Sequence, residues 1–215
     1  NRRMIATTLT KDKPQVSLFR ESSDQLLANF PLPKGKTDEE LAGDAAKGNM
    51  DSFEVLVLRR RKGLVRFLAS FSESTADAED LAQETFLRAF RNLSRYDPRK
   101  PFLTWLYVIA RRLAINFKRN RSRRGESPLT EEETELSGSE CTTSFDSGSL
   151  WSCASKLLYP PAFRVLQLHY AENMPVKEIA EVLGKSATGT KVVLFRARRS
   201  LADKIDPQTY EPINR

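Results

Sequence analysis

Apolar residues recur at helical intervals through most of this chain. From residue 38, DEELAGDAAKGNMDSFEVLVLRRRKGLVRFLASF predicts a short helix, a break near Gly48 and a longer helix from about Asp51. Gly63 falls inside that longer helix, where glycine weakens helical structure. In DAEDLAQETFLRAFRNL, residues 77–93, Leu81, Thr85, Ala89 and Leu93 are spaced by four, with Ala82, Phe86 and Phe90 beside them. That spacing makes one broad apolar face. Asp77, Glu79 and Asp80 stand at its start, where they suit the helix dipole. Pro98 and Pro101 interrupt residues 94–101. FLTWLYVIARRLAINFKRNRSRR, residues 102–124, predicts the next helix and buries Leu103, Leu106, Ala110, Leu113 and Phe117. Together these segments hold enough apolar surface for one small all-helical core.

A second helical group lies further on. Residues 163–170 and 176–183 predict two helices, Gly184 a tight turn, and Ser186 the cap of a third helix over 187–203. This is the layout of a helix-turn-helix, whose second helix enters the major groove by its N-terminal part. Ser186, Ala187, Thr188, Thr190 and Lys191 then lie nearest the base edges, and Arg196, Arg198 and Arg199 face phosphates. Many helical bundles that bind no DNA contain such a turn. The basic cluster favours DNA, because residues 191–199 hold four basic side chains and no acidic one.

The chain has 215 residues and a formal net charge of +7, enough for one domain or two small ones with anionic partners. The basic residues are concentrated: residues 111–124 carry seven and no acidic one. Such a surface suits a phosphate backbone. Residues 126–140 reverse the sign with six glutamates, and the stretch to about Ser152 is rich in Ser, Thr and Gly. This predicts a flexible acidic linker over 123–155, whose end Trp151 anchors to a domain. Residues 1–37 read as a flexible extension with one short helix over 17–30, and 205–215 as a tail. Cys141 and Cys153 are too few for a disulfide framework and read as reduced thiols of a cytoplasmic protein. One histidine, His169, reads as a packing residue. No metal site, cofactor motif or catalytic constellation is recognisable, and no apolar stretch predicts membrane insertion or a signal peptide.

Three motifs in order now resemble one family. DAEDLAQETFLRAFRNL, then FLTWLYVIARRLAINFKR, then LYPPAFRVLQLHYAENMPVKEIAEVLGKS are similar to the bacterial sigma factors of the extracytoplasmic-function group, in the sigma-70 superfamily. The resemblance implies an all-α fold of two small domains, region 2 over 38–122 and region 4 over 156–204. It implies a non-enzymatic promoter-specificity subunit of RNA polymerase that recognises −10 and −35 elements and promotes strand opening. The implied partners are core RNA polymerase and promoter DNA, both as duplex and as non-template single strand; the resemblance also allows an anti-sigma partner. An independent helix-turn-helix regulator, binding duplex DNA as a dimer, and a helical adaptor with nonspecific basic patches remain the alternatives.

Motif position carries the family's roles over residue by residue. Asp80, Gln83, Glu84, Leu87 and Arg88 become polymerase contacts. Tyr96 and Phe102 offer ring surfaces for a flipped base of the −10 element, with Arg112 and Asn116 as polar contacts. Arg111, Arg112, Lys118 and Arg119 match basic positions beside promoter DNA. Trp105 and Tyr107 match core positions. The recognition helix departs from the family: Gly189 stands within it, Thr190 replaces a core apolar residue, and Val193 stands where arginine is common. Val193 either meets a thymine methyl or packs inside the domain.

Overall fold

A computed structural model describes residues 35–123 and 147–204, all of whose regular elements are helical. The expected N-terminal extension, its short helix, the acidic run and the C-terminal tail lie outside the described residues. The first module contains α1 (Asp38–Ala46), α2 (Met50–Ala69), α3 (Thr75–Arg91), a 3-10 turn (Leu93–Arg95) and α4 (Phe102–Arg123). The second contains α5 (Ser147–Leu157), α6 (Pro160–Tyr170), α7 (Val176–Leu183) and α8 (Ala187–Lys204).

Local chemistry sets the helix ends. Thr37 and Glu40 form a reciprocal capping box at α1. Asn49 caps α2 and Ser74 caps α3, each side chain accepting a backbone N–H three residues on. The N-terminal amide of α4, at Phe102, donates to the Glu39 carboxylate of α1 at 3.0 Å. That bond ties the start of α4 to the first helix, where a negative charge also suits the dipole.

The first module closes on Leu41, Leu56, Leu64, Phe67, Leu68, Phe86, Phe102, Leu106 and Tyr107, all at most 1 % exposed. α3 contributes Ala78, Leu81, Ala82, Thr85, Phe86 and Ala89 to it, as the four-residue spacing predicts. The Thr85 hydroxyl is satisfied by the Leu81 carbonyl at 2.7 Å. α4 departs slightly from expectation. Leu103 and Phe117 are half-buried, while Phe102, Tyr107 and Ala114 turn inward.

The second module packs Ala154, Leu158, Ala162, Phe163, Leu166 and Ala197 into one cluster, with Trp151, Tyr159, Val193 and Leu201 against it. Residues 147–155 are helical, and Trp151 and Ala154 join this core. Cys153 is buried and disulfide-bonded. This corrects the expectation of reduced thiols, which rested on cysteine count alone. His169 is a packing residue, its Nδ1 at 3.2 Å from the Met174 carbonyl oxygen.

Candidate functional site

Three surfaces carry the residues that the sequence singles out. The first is the outward stripe of α3. Its inward residues pack on α2 and α4. Asp80, Gln83, Glu84, Leu87 and Arg88 then share the opposite face at intervals of three and four. Asp80 and Arg88 are exposed, and the other three half-buried. Arg88 Nε donates to Glu84 Oε1 at 2.7 Å across one turn. The stripe thus offers an acid, an aliphatic side chain and a preformed ion pair on a rigid support, a combination suited to protein docking.

The second surface is α4 with the loop before it. Tyr96 is buried and donates its hydroxyl to the Lys100 carbonyl, and burial pushes its phenol above the usual tyrosine range. Its ring centroid lies 5.5 Å from Phe102 and 5.2 Å from Trp105. Phe102 is wholly buried. Neither Tyr96 nor Phe102 presents a free ring face here, because both fill the space beneath the loop. Of this aromatic trio only Trp105 is half-buried and retains ring surface. Arg112, Asn116 and Arg119 are exposed on one face of α4, with Arg119 Nη2 donating to Asn116 Oδ1 at 3.3 Å. Lys118 is half-buried.

Arg123 at the end of α4 is also exposed, whereas Arg121 and Arg111 are engaged. Arg121 donates to Asp77 Oδ2 at 3.1 Å and to Glu73 Oε2 at 2.8 Å, pinning α4 to the start of α3. Arg111 is half-buried beneath the helix-turn-helix, whose Gly184 would place a Cβ only 3.1 Å from Arg111 Nη1.

The third surface is α8. Gly184 ends α7 in the left-handed conformation at φ 59°, which a side chain would oppose. The Ser186 hydroxyl accepts the Gly189 N–H at 3.0 Å and so caps α8. Ala187, Thr188, Lys191, Arg196, Arg198 and Arg199 are exposed. Thr190 is not: it is fully buried and donates its hydroxyl to the Ser186 carbonyl at 3.0 Å. It holds the helix start rather than facing a base. Val193 packs on the module's core cluster, which resolves its two readings in favour of packing.

Val192 and Phe195, 44 % and 64 % exposed, are the residues that sequence reasoning missed. The signal was present. Thr190, Leu194, Ala197 and Leu201 form the inward stripe of α8, and both residues lie off it, beside Lys191. Val192 and Phe195 thus give this face apolar groups beside its cations.

The comparisons with known proteins agree with this arrangement. Residues 56–124 match the model of Sigma-70 region 2, and residues 156–201 that of Sigma-70, region 4. The RNA polymerase sigma factor CnrH of Cupriavidus metallidurans is 30% identical over 186 residues, covering 79% of this chain and 94% of CnrH. The chain belongs to the sigma-70 family. Its relatives place it among the ECF-type sigma factors, which are non-catalytic transcription regulators. The ECF RNA polymerase sigma factor BldN of Streptomyces coelicolor is 32% identical over 169 residues, covering 76% of this chain and 64% of BldN. This sigma factor therefore spans just under two thirds of BldN. Among solved structures, CnrH in complex with the cytosolic domain of CnrY has 27% identity and a TM-score of 0.51, covering 77% of this chain and 95% of that one. The sigma factor RpoE in complex with the anti-sigma factor NepR from Bartonella quintana shares the fold at 23% identity and a TM-score of 0.56, covering 72% and 98%.

Proposed function

We propose that this sigma factor docks on core RNA polymerase through the outward stripe of α3 and directs it to promoters with two separate DNA-facing helices. Arg112, Asn116 and Arg119 of α4 meet the −10 element, with Trp105 the ring nearest to being available for a displaced base. On α8, Thr188, Lys191 and Val192 meet the −35 element, while Arg196, Arg198 and Arg199 position the helix on phosphates. The observation that supports this reading best is the order of the two matched regions, each with its polar face outward. No covalent step is required: binding energy alone selects the site and favours strand opening. An anti-sigma partner, which the family resemblance allows, is proposed as well; CnrH has been solved in complex with the cytosolic domain of CnrY.

The test is promoter-directed transcription by core polymerase reconstituted with the full chain. Leu87→Asp places a charge in an apolar contact, and Asp80→Arg reverses a charge. Each should weaken core binding by at least about tenfold, or ~1.4 kcal/mol, with helicity unchanged. Normal core affinity in both folded variants rejects the α3 face. An independent regulator would instead bind duplex DNA without polymerase, and an adaptor would bind polymerase without redirecting initiation.

A further inference from the structure

The first turns of α8 turn carbon, more than polar atoms, toward solvent. Thr188, Val192 and Phe195 stand at i, i+4 and i+7, so they share one stripe of the helix. Val192 is 44 % exposed and Phe195 64 %. Thr188 and its neighbour Ala187 are exposed as well. Other hydroxyls near the helix start are already used. The Ser186 hydroxyl accepts the Gly189 N–H, and the Thr190 hydroxyl turns back to the Ser186 carbonyl. Val193 and Leu194 belong to the interior. Lys191 is the one cation of residues 187–195, which contain no arginine, asparagine or glutamine.

That inventory selects a mode of reading. In the major groove, guanine and adenine edges are read by paired polar contacts, which arginine, asparagine and glutamine supply best. Thymine alone shows a methyl group there, and alanine, the threonine methyl and phenylalanine read it by apolar contact. Residues 187–195 lack the first set of side chains and hold the second. Lys191 is left as their one side chain suited to a guanine edge or a phosphate.

The surrounding charge indicates what covers the stripe. Lys191, Arg196, Arg198 and Arg199 border it and are all exposed, and residues 187–202 contain no acidic side chain. The Arg198 guanidinium lies 5.3 Å from the Tyr170 ring centroid, which steadies it at the helix flank. An apolar stripe between cations matches a groove floor between two phosphate backbones. The lengths agree too. Thr188 to Phe195 spans roughly 10 Å of helix at 1.5 Å per residue, and about three base pairs occupy the same length at 3.4 Å each.

Resting on the −35 role proposed for α8, we propose that this sigma factor reads its −35 element chiefly through thymine methyl groups. Ala187, Thr188, Val192 and Phe195 meet the methyls, and Lys191 is the polar reader among them. The preferred element is thymine-rich, on either strand, over the base pairs that face the stripe. Cytosine at such a position is rejected because it has no methyl. Uracil is rejected for the same reason, although it keeps the pairing edge and the O4 acceptor of thymine.

The experiment uses holoenzyme reconstituted with the full chain. Its preferred element is selected from promoters randomised at −35, and each thymine of that element is then replaced by deoxyuridine, which removes the 5-methyl alone. Wild-type affinity should fall about fourfold per methyl lost beneath the stripe, the ~0.8 kcal/mol of one buried carbon group. Val192→Ala and Phe195→Ala should bind the thymine element more weakly, and each should lose its sensitivity to uracil at one position. The uracil series on wild type needs no variant, so it decides the matter even where a variant misfolds. A selected element without thymines, or equal affinity for thymine and uracil throughout, overturns the methyl reading and leaves the sigma-factor reading standing. Weaker binding of both variants to core polymerase without DNA, with uracil sensitivity unchanged, also overturns it and makes the stripe a protein-docking surface. Absence of promoter-directed transcripts from every template at saturation overturns the sigma-factor reading itself.

Discussion

The two basic helices of this sigma factor look alike as sequence and differ as surfaces. α4 ends in a dense arginine run, yet Arg121 is held by Glu73 and Asp77, and Arg111 lies under Gly184. Arg112, Asn116, Arg119 and Arg123 present polar groups outward on one face. α8 carries fewer basic residues, and Lys191, Arg196, Arg198 and Arg199 are all exposed. The ion pair from Arg199 to Asp203, at 4.0 Å, is loose and solvated. The comparison separates arginines that build the module from arginines that remain available to DNA. Composition counts both kinds together.

The widest separation should come from charge removal on α4. Arg112→Ala with Arg119→Ala removes two outward cations, so promoter binding by the reconstituted holoenzyme should weaken by about tenfold or more at moderate salt. The slope of log affinity against log salt should fall by roughly 1.8, at about 0.9 per phosphate lost. Arg121→Ala is the counterpart. Its promoter affinity should stay within about twofold, and its thermal stability should drop by about 0.5–1 kcal/mol, the range for partly exposed ion pairs. Equal effects of the two changes on promoter affinity would erase the distinction.

On α8 the comparison sharpens to neighbouring residues. Lys191→Ala and Val192→Ala should each relax selection from a randomised −35 library at one or two positions, by about 1–3 kcal/mol for a good bidentate contact and less for a methyl contact. Val193→Arg should instead lower the melting temperature, because it forces a long cation into the cluster around Phe163 and Ala197. A folded Val193→Arg protein with altered base selection would show that Val193 faces the groove after all.

The helices were legible where apolar spacing was strong. Residues 77–93 were expected and Thr75–Arg91 is observed, the start moving two residues because the Ser74 hydroxyl accepts the Asp77 N–H. Ser147–Leu157 was not legible, since its Ser- and Gly-rich composition reads as linker until Trp151 and Ala154 meet the α6 core. On the site surfaces, chemistry pointed to the right elements and missed their rotation. Tyr96, Phe102 and Thr190 have suitable groups but spend them inside the module, while Val192 and Phe195 look like core and lie outside. The contact between α2 and the second module left one trace, a glycine in the middle of α2. Its partners are about a hundred residues away and polar on both sides, so no periodicity marks them.

The smallest expected effect concerns Glu172. Burial pushes its carboxyl above the ordinary value of 4.5, outweighing Arg60, the Tyr107 hydroxyl and Arg66, which act the other way; Asp38 adds to the rise. On unfolding, Glu172 meets water and its carboxyl returns toward that ordinary value. The folded chain therefore binds a proton more readily than the unfolded one, and this group adds stability as pH falls. The contribution is fully present below about 4.5, the ordinary carboxylate pKa, and is lost as pH rises through the raised one. Arg60 and Arg66 of α2, Tyr107 of α4 and Asp38 of α1 face the carboxyl. Of these, the arginines stay charged throughout. Glu172→Gln keeps the shape and a hydrogen-bonding head but cannot titrate. Denaturant unfolding between pH 8 and pH 5 should show the wild type gaining on Glu172→Gln as pH falls, by less than a tenfold shift in the folding equilibrium. A difference between the two proteins that does not change with pH, or one that moves against the wild type on acidification, would remove Glu172 as the source of the dependence.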